Sequence, residues 1–123
     1  MDGDNLASVL VVDDDPVSRM MLAHVVRRAG HHVDEAESVA TALPLLETRR
    51  FDLVISDYMM PGGTGLDLLD ALPDAGVPFV LLTGVMESGE LDDERVDRVD
   101  AYVTKPFASA ELEELVERLL NDS

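Results

Sequence analysis

Short apolar runs alternate with amphipathic segments along the chain. Val9 to Val12, Leu53 to Ser56 and Phe79 to Leu82 are apolar runs of strand length, and the weaker His32 to Ala36 and Ala101 to Val103 take the same place in the alternation. Pro16 to Ala29 carries Met21, Leu22, Val25, Val26 and Ala29 at helical spacing, with Asp15 placed as cap, Pro16 as first helical residue and Gly30 as stop. Ser38 to Thr48 reads as a second helix through Val39, Leu43, Leu45 and Leu46, although Pro44 should distort it unless the helix starts late. Pro61, Gly62, Gly63 and Gly65 mark a loop, followed by a short helix from Leu66 to Leu72. Leu91 to Val99 is a weak helix with only Leu91, Val96 and Val99 as apolar positions. It buries little and carries many like charges, so it is expected to be the least ordered element. The clearest helix is Ser109 to Leu120: Ser109 opens a capping box, and Leu112, Leu115, Val116, Leu119 and Leu120 form its buried stripe.

Strand and helix thus alternate five times. Apolar strands between helices predict a (βα)5 doubly wound α/β domain, with a parallel five-stranded sheet covered on both faces. Residues 1–7 read as a polar tail and residues 8–121 as one domain, which suits a chain of 123 residues.

Composition narrows the function. There are no cysteines, which excludes disulfide scaffolds, thiolate metal sites and cysteine nucleophiles. The start of the chain lacks the basic and apolar regions of a secretion signal, and no apolar run is long enough to cross a bilayer. These features fit a soluble cytoplasmic protein. A formal net charge of −17 repels nucleic acid and anionic lipid, so neither is expected as a partner of this domain. Among nine basic residues Lys105 is the single lysine, at a position where a compact ammonium could be required.

In open parallel sheets, ligands bind beyond the carboxyl ends of the strands. Asp13, Asp14 and Asp15 follow the first strand, Asp57 the third, Thr83 and Gly84 the fourth, and Lys105 the fifth. Taken singly, each has a plain explanation. Asp15 is a helix cap, Asp52, Asp67 and Asp70 are loop solvation, and Thr83 is a strand-end hydroxyl. His24, His31 and His32 show no ligand spacing. Together, Asp13, Asp14, Asp57, Thr83 and Lys105 would converge on one rim. Clustered carboxylates call for a cation, and a hard oxygen site suits magnesium, or manganese in its place. A metal, an ammonium, a hydroxyl and a glycine-flanked amide would stabilise a transferring phosphoryl group. The residues therefore point to phosphoryl transfer to or from a carboxylate.

The segments Val9-Leu10-Val11-Val12-Asp13-Asp14-Asp15-Pro16, Leu53-Val54-Ile55-Ser56-Asp57-Tyr58-Met59-Met60-Pro61-Gly62, Leu81-Leu82-Thr83-Gly84 and Tyr102-Val103-Thr104-Lys105-Pro106-Phe107 resemble the receiver domain of two-component response regulators. The resemblance implies a flavodoxin-like sheet of strand order 2-1-3-4-5 and a cis Lys105–Pro106 peptide. It makes Asp57 the phosphoacceptor, in a phosphoprotein that assists its own phosphorylation and dephosphorylation without being an enzyme. Asp14, Asp57 and the backbone carbonyl of Met59 would ligate Mg2+, with Asp13 acting through water. Lys105, Thr83 and Gly84 would hold the phosphoryl group, and Thr83 with Tyr102 would form the conformational switch. The implied partners are a histidine kinase or histidine phosphotransfer protein, docking near the first helix and the loop after strand five, and a downstream protein effector.

Some residues depart from the family pattern. Gly63 and Thr64 stand where bulkier and acidic residues are usual, and the last helix is acidic where dimerising relatives carry basic residues. Met59 and Val85 flank the approach of water in the implied site, and neither can orient it, which implies a long-lived phosphorylated state. Two other readings share the residues. Asp13 to Asp15 contain the D-x-D of haloacid-dehalogenase-like phosphatases, although no later acidic pair follows Lys105. A receiver-like binding module acting without phosphorylation would keep the fold but not this full acidic set.

Overall fold

The structure, a computed structural model, describes residues 7–72, 76–84 and 94–121. Five parallel strands form the sheet: β1 (Ser8–Val12), β2 (His32–Ala36), β3 (Leu53–Asp57), β4 (Phe79–Thr83) and β5 (Ala101–Thr104). Their order is β2-β1-β3-β4-β5, so the chain reverses its direction of travel between β1 and β3. The expected doubly wound topology and strand order are therefore observed.

Residues of each central strand alternate between two cores, as the pleat requires. Val9, Val11, Leu53, Ile55, Val80 and Leu82 face α1 (Pro16–Arg28) and α4 (Ser109–Asn121), where Leu22, Val26, Leu112 and Val116 meet them. Leu10, Val12, Val54, Phe79 and Leu81 face α2 (Val39–Thr48) and α3 (Leu66–Leu69). Helices on both faces explain why β1, β3 and β4 read as continuous apolar runs. The edge strand β2 alternates poorly because its His32, Val33, Asp34 and Glu35 are not buried.

Helix ends follow local chemistry. Asp15 caps α1 by accepting from Val17 N–H at 3.1 Å, and Gly30 takes φ +98°, a left-handed conformation that ends the helix.

The second helix is present as expected: α2 runs from Val39 to Thr48 with Pro44 inside it, held at its start by a reciprocal Ser38–Thr41 capping box. Three sequence expectations need correction. Helix α4 includes Ser109, and Leu112 N–H donates to the Ala108 carbonyl, so the cap position falls on Ala108. Helix α3 stops at Leu69, three residues short of the expected end. The fourth helical segment is a 3-10 helix, Glu94–Arg98, with no fully buried residue; residues 91–93 of the expected helix lie outside the described residues. Of the expected polar tail, only Ala7 is described.

Candidate functional site

The carboxyl ends of β1, β3, β4 and β5 bring Asp13, Asp57, Thr83 and Lys105 to one rim, and Asp14 joins them. One carboxylate oxygen from each of Asp13, Asp14 and Asp57 lies within 4.8 Å of the others. Asp13 is fully buried, Asp57 is partly buried and Asp14 is exposed. Lys105 Nζ sits between two of them, 3.0 Å from Asp13 Oδ2 and 3.3 Å from Asp57 Oδ2. Lys105 N–H donates to the Thr83 carbonyl, and the Lys105–Pro106 peptide is cis, as expected.

The lone ammonium is shared, and this sets the electrostatics. Burial pushes the Asp57 carboxyl up to about 6; Lys105 opposes the shift, and the nearby Asp13 charge adds to it. The Lys105 ammonium is itself partly buried, which works against its charge, but its bond to Asp13 and the charges of Asp13 and Asp57 hold its pKa above the usual lysine range. The folded protein thus binds a proton on Asp57 more tightly than the unfolded chain does. Stability from this group is present at low pH and is lost as pH rises from about 4 to about 6. Asp57→Asn keeps the neutral form at every pH. It is expected to melt above the parent at pH 7.5 in chelator, by up to about 2 kcal/mol. The gap should close below pH 4. A gap that stays constant across this range would contradict the assignment.

Thr83 is fully buried and its Oγ1 makes no hydrogen bond within the described residues. A buried hydroxyl without a partner is costly and rare, so it marks a place where a ligand acceptor fits. Gly84 follows directly. Tyr102 lies on β5, nearly half exposed, and its hydroxyl donates to the Val96 carbonyl at 3.0 Å, which ties it to the 3-10 segment Glu94–Arg98. Met59 is exposed two residues after Asp57, whereas Val85 lies outside the described residues.

Several supporting residues carried no signal in the sequence. Ser18 donates to Asp13 Oδ2 at 2.6 Å, and Arg19 Nη1 donates to the Asp13 carbonyl at 2.8 Å while its Nε pairs with Glu35. Gly65 N–H donates to the Tyr58 carbonyl, which folds the loop after β3 back on itself. A Cβ at Gly65 would lie 2.5 Å from the Asp57 carbonyl oxygen and 2.7 Å from Ser56 Oγ. Backbone cannot yield there, so Gly65→Ala is expected to destabilise the fold by roughly 1–3 kcal/mol, read as a lower denaturation midpoint. An unchanged midpoint would show the loop to be looser than described.

The acids read as solvation have partners instead. Asp52 accepts from Ser8 N–H, Asp67 from Thr64 N–H and Arg95, and Asp70 from Arg95 and Arg98. His31 Nδ1 accepts from Ala7 N–H.

A profile of the response regulator receiver domain matches residues 9–117. The chain belongs to this family. This receiver is 32% identical over 116 residues to the chemotaxis protein CheY of Pseudomonas aeruginosa, covering 90% of this chain and 94% of that one. It is 38% identical over 105 residues to the DNA-binding response regulator MtrA of Mycolicibacterium smegmatis, covering 85% of this chain and 46% of MtrA. Among solved structures, the receiver resembles the response regulator TrrA of Thermotoga maritima, determined in complex with Mg2+–BeF. The TM-score is 0.81 at 33% identity, over 92% of this chain and 98% of that one. The receiver domain of NtrX from Brucella abortus gives a TM-score of 0.84 at 29% identity, over 94% and 99%. As a receiver domain of the two-component family, the chain is a signal transducer. No helix among its described residues is long and apolar enough to cross a membrane.

Proposed function

We propose that Asp57 accepts a phosphoryl group from a phosphohistidine, and that the receiver unit spans residues 8–121. The carrying observation is the cluster itself: three carboxylates within reach of one cation, with one ammonium bridging two of them. An Asp57 carboxylate oxygen attacks phosphorus, the phosphorus–nitrogen bond breaks, and the imidazole leaves with the electron pair. Lys105 pairs with the phosphoryl oxygens, and Thr83 Oγ1 and the Gly84 amide hold them. The hydroxyl of Thr83 then gains the partner it lacks among the described residues, and Tyr102 exchanges its bond to Val96 for an inward position.

The donor set fits a hard divalent cation, because every side-chain ligand is a carboxylate oxygen. Asp14 and Asp57, with the Met59 carbonyl, would hold Mg2+ or Mn2+. Both Asp13 oxygens already accept protein donors, which suits a role through water. When bound, the ion neutralises charge on the transferring group.

On α1, Val17, Met20 and Met21 are large apolar side chains left exposed, a surface suited to a histidine kinase or histidine phosphotransfer protein. A downstream protein effector would read the Tyr102 face. The domain would assist its own phosphorylation and dephosphorylation in the cytoplasm, and exposed Met59, which cannot orient water, supports a long-lived phosphorylated state. The test is acyl phosphate with Mg2+: one stable phosphoryl group per chain supports the proposal, whereas turnover of a phosphomonoester would favour the phosphatase reading.

A further inference from the structure

We infer that Ser18 is a positioning residue for phosphoryl acceptance, holding Asp13 in place when Lys105 turns from it to the phosphoryl group on Asp57. The inference rests on the proposed role of Asp57.

One ammonium serves two carboxylates in this site. Lys105 Nζ lies closer to Asp13 than to Asp57, so pairing with phosphoryl oxygens must loosen its hold on Asp13. Asp13 is fully buried, and a buried carboxylate whose ammonium partner loosens depends more heavily on the hydrogen bonds that remain. Those are the Asp15 N–H on Oδ1 at 3.0 Å and the Ser18 hydroxyl on Oδ2 at 2.6 Å. Ser18 therefore donates to the same oxygen that Lys105 contacts. Its distance is at the short end for a hydroxyl on a carboxylate, where such bonds are strongest.

The hydroxyl is present in both states, but it matters more once Lys105 has moved, because among the described residues it is then the protein donor left on Oδ2. A group that stabilises the phosphoryl-bound state more than the free state acts on acceptance as well as on folding. Arg19 completes the arrangement by holding the Asp13 carbonyl, so the backbone cannot follow the lysine. Ser18 itself lies in the first turn of α1, five residues after Asp13, which is why helical spacing alone does not single it out.

The experiment compares Ser18→Val and Ser18→Thr, which have similar volume and differ in the hydroxyl, alongside Ser18→Ala, which cannot overfill the site. Two dissociation constants are measured on the whole chain: Mg2+ alone, and beryllofluoride at saturating Mg2+ as the phosphoryl mimic. Val and Ala variants are expected to bind Mg2+ as the parent does and beryllofluoride about tenfold more weakly, the loss typical of one hydrogen bond to a charged group. The Thr variant should match the parent. The inference is overturned if Val and Ala bind beryllofluoride like the parent, if Mg2+ affinity falls in parallel, or if Thr behaves like Val. A parent that binds Mg2+ but no beryllofluoride would contradict the phosphoacceptor reading, and the inference with it.

Discussion

Magnesium is expected to raise the melting temperature of the parent by on the order of 10 °C at a hundredfold excess over its dissociation constant, and to leave Asp14→Ala unmoved. A ligand at that excess adds about 2.7 kcal/mol to the folded state, and a domain of this size converts that into a shift of this order. The response should depend on Asp14 because of how the acids are arranged. Asp13 already accepts from Asp15, Ser18 and Lys105, and Asp57 shares Lys105 and accepts from Tyr58 N–H. Asp14 is the exposed member, with the most lone-pair capacity left for a cation. It also adds negative charge beside two other carboxylates in a chain of net charge −17. Asp14→Ala should therefore melt above the parent in chelator and lose the metal response. Ionic strength must be matched with a monovalent salt, because screening alone stabilises so acidic a protein. A parent indifferent to Mg2+, or an Asp14→Ala variant that still responds, would remove Asp14 from the metal site.

The centre of the sheet was legible in the sequence because its strands β1, β3 and β4 are buried on both faces. Runs such as Val9 to Val12 and Phe79 to Leu82 have no solvent side, so they stand out between amphipathic segments. The rim residues were legible for a related reason: Asp13, Asp57 and Thr83 follow such runs directly, and Lys105 follows the weaker run of the fifth strand after one residue, Thr104. Helix ends were less so. Pro44 stands inside a helix that the Ser38–Thr41 capping box sets from its first turn, and the cap of α4 falls on Ala108, one residue before the expected Ser109. The 3-10 segment Glu94–Arg98 differs from the expected helix because tertiary bonds hold it: Arg95 and Arg98 bind Asp70 and the carbonyls of Leu66 and Leu69, contacts 25 to 29 residues away in sequence. The same distance hid the partners of Asp67 and Asp70. Ser18 and Arg19 were missed because their partner is the carboxylate and carbonyl of Asp13 across a turn, and a serine or arginine on a helix carries no mark of that.

Phosphorylation of Asp57 carries the largest expected effect, because its loss should be complete. The transferred group is held by a covalent bond to one carboxylate, and no other acid can replace it. Asp14 is exposed, and Asp13 is buried with both oxygens occupied by donors. Asn at position 57 has nearly the same shape and keeps an oxygen for Tyr58 N–H, so the fold should persist while the nucleophile is gone. The deciding measurement is intact mass after incubation with acetyl phosphate, Mg2+ present or chelated, for the parent and Asp57→Asn. The account predicts one added phosphoryl group on the parent only when Mg2+ is present, and none on Asp57→Asn in either condition. A phosphoryl group on Asp57→Asn, or a parent whose mass never changes, would contradict it.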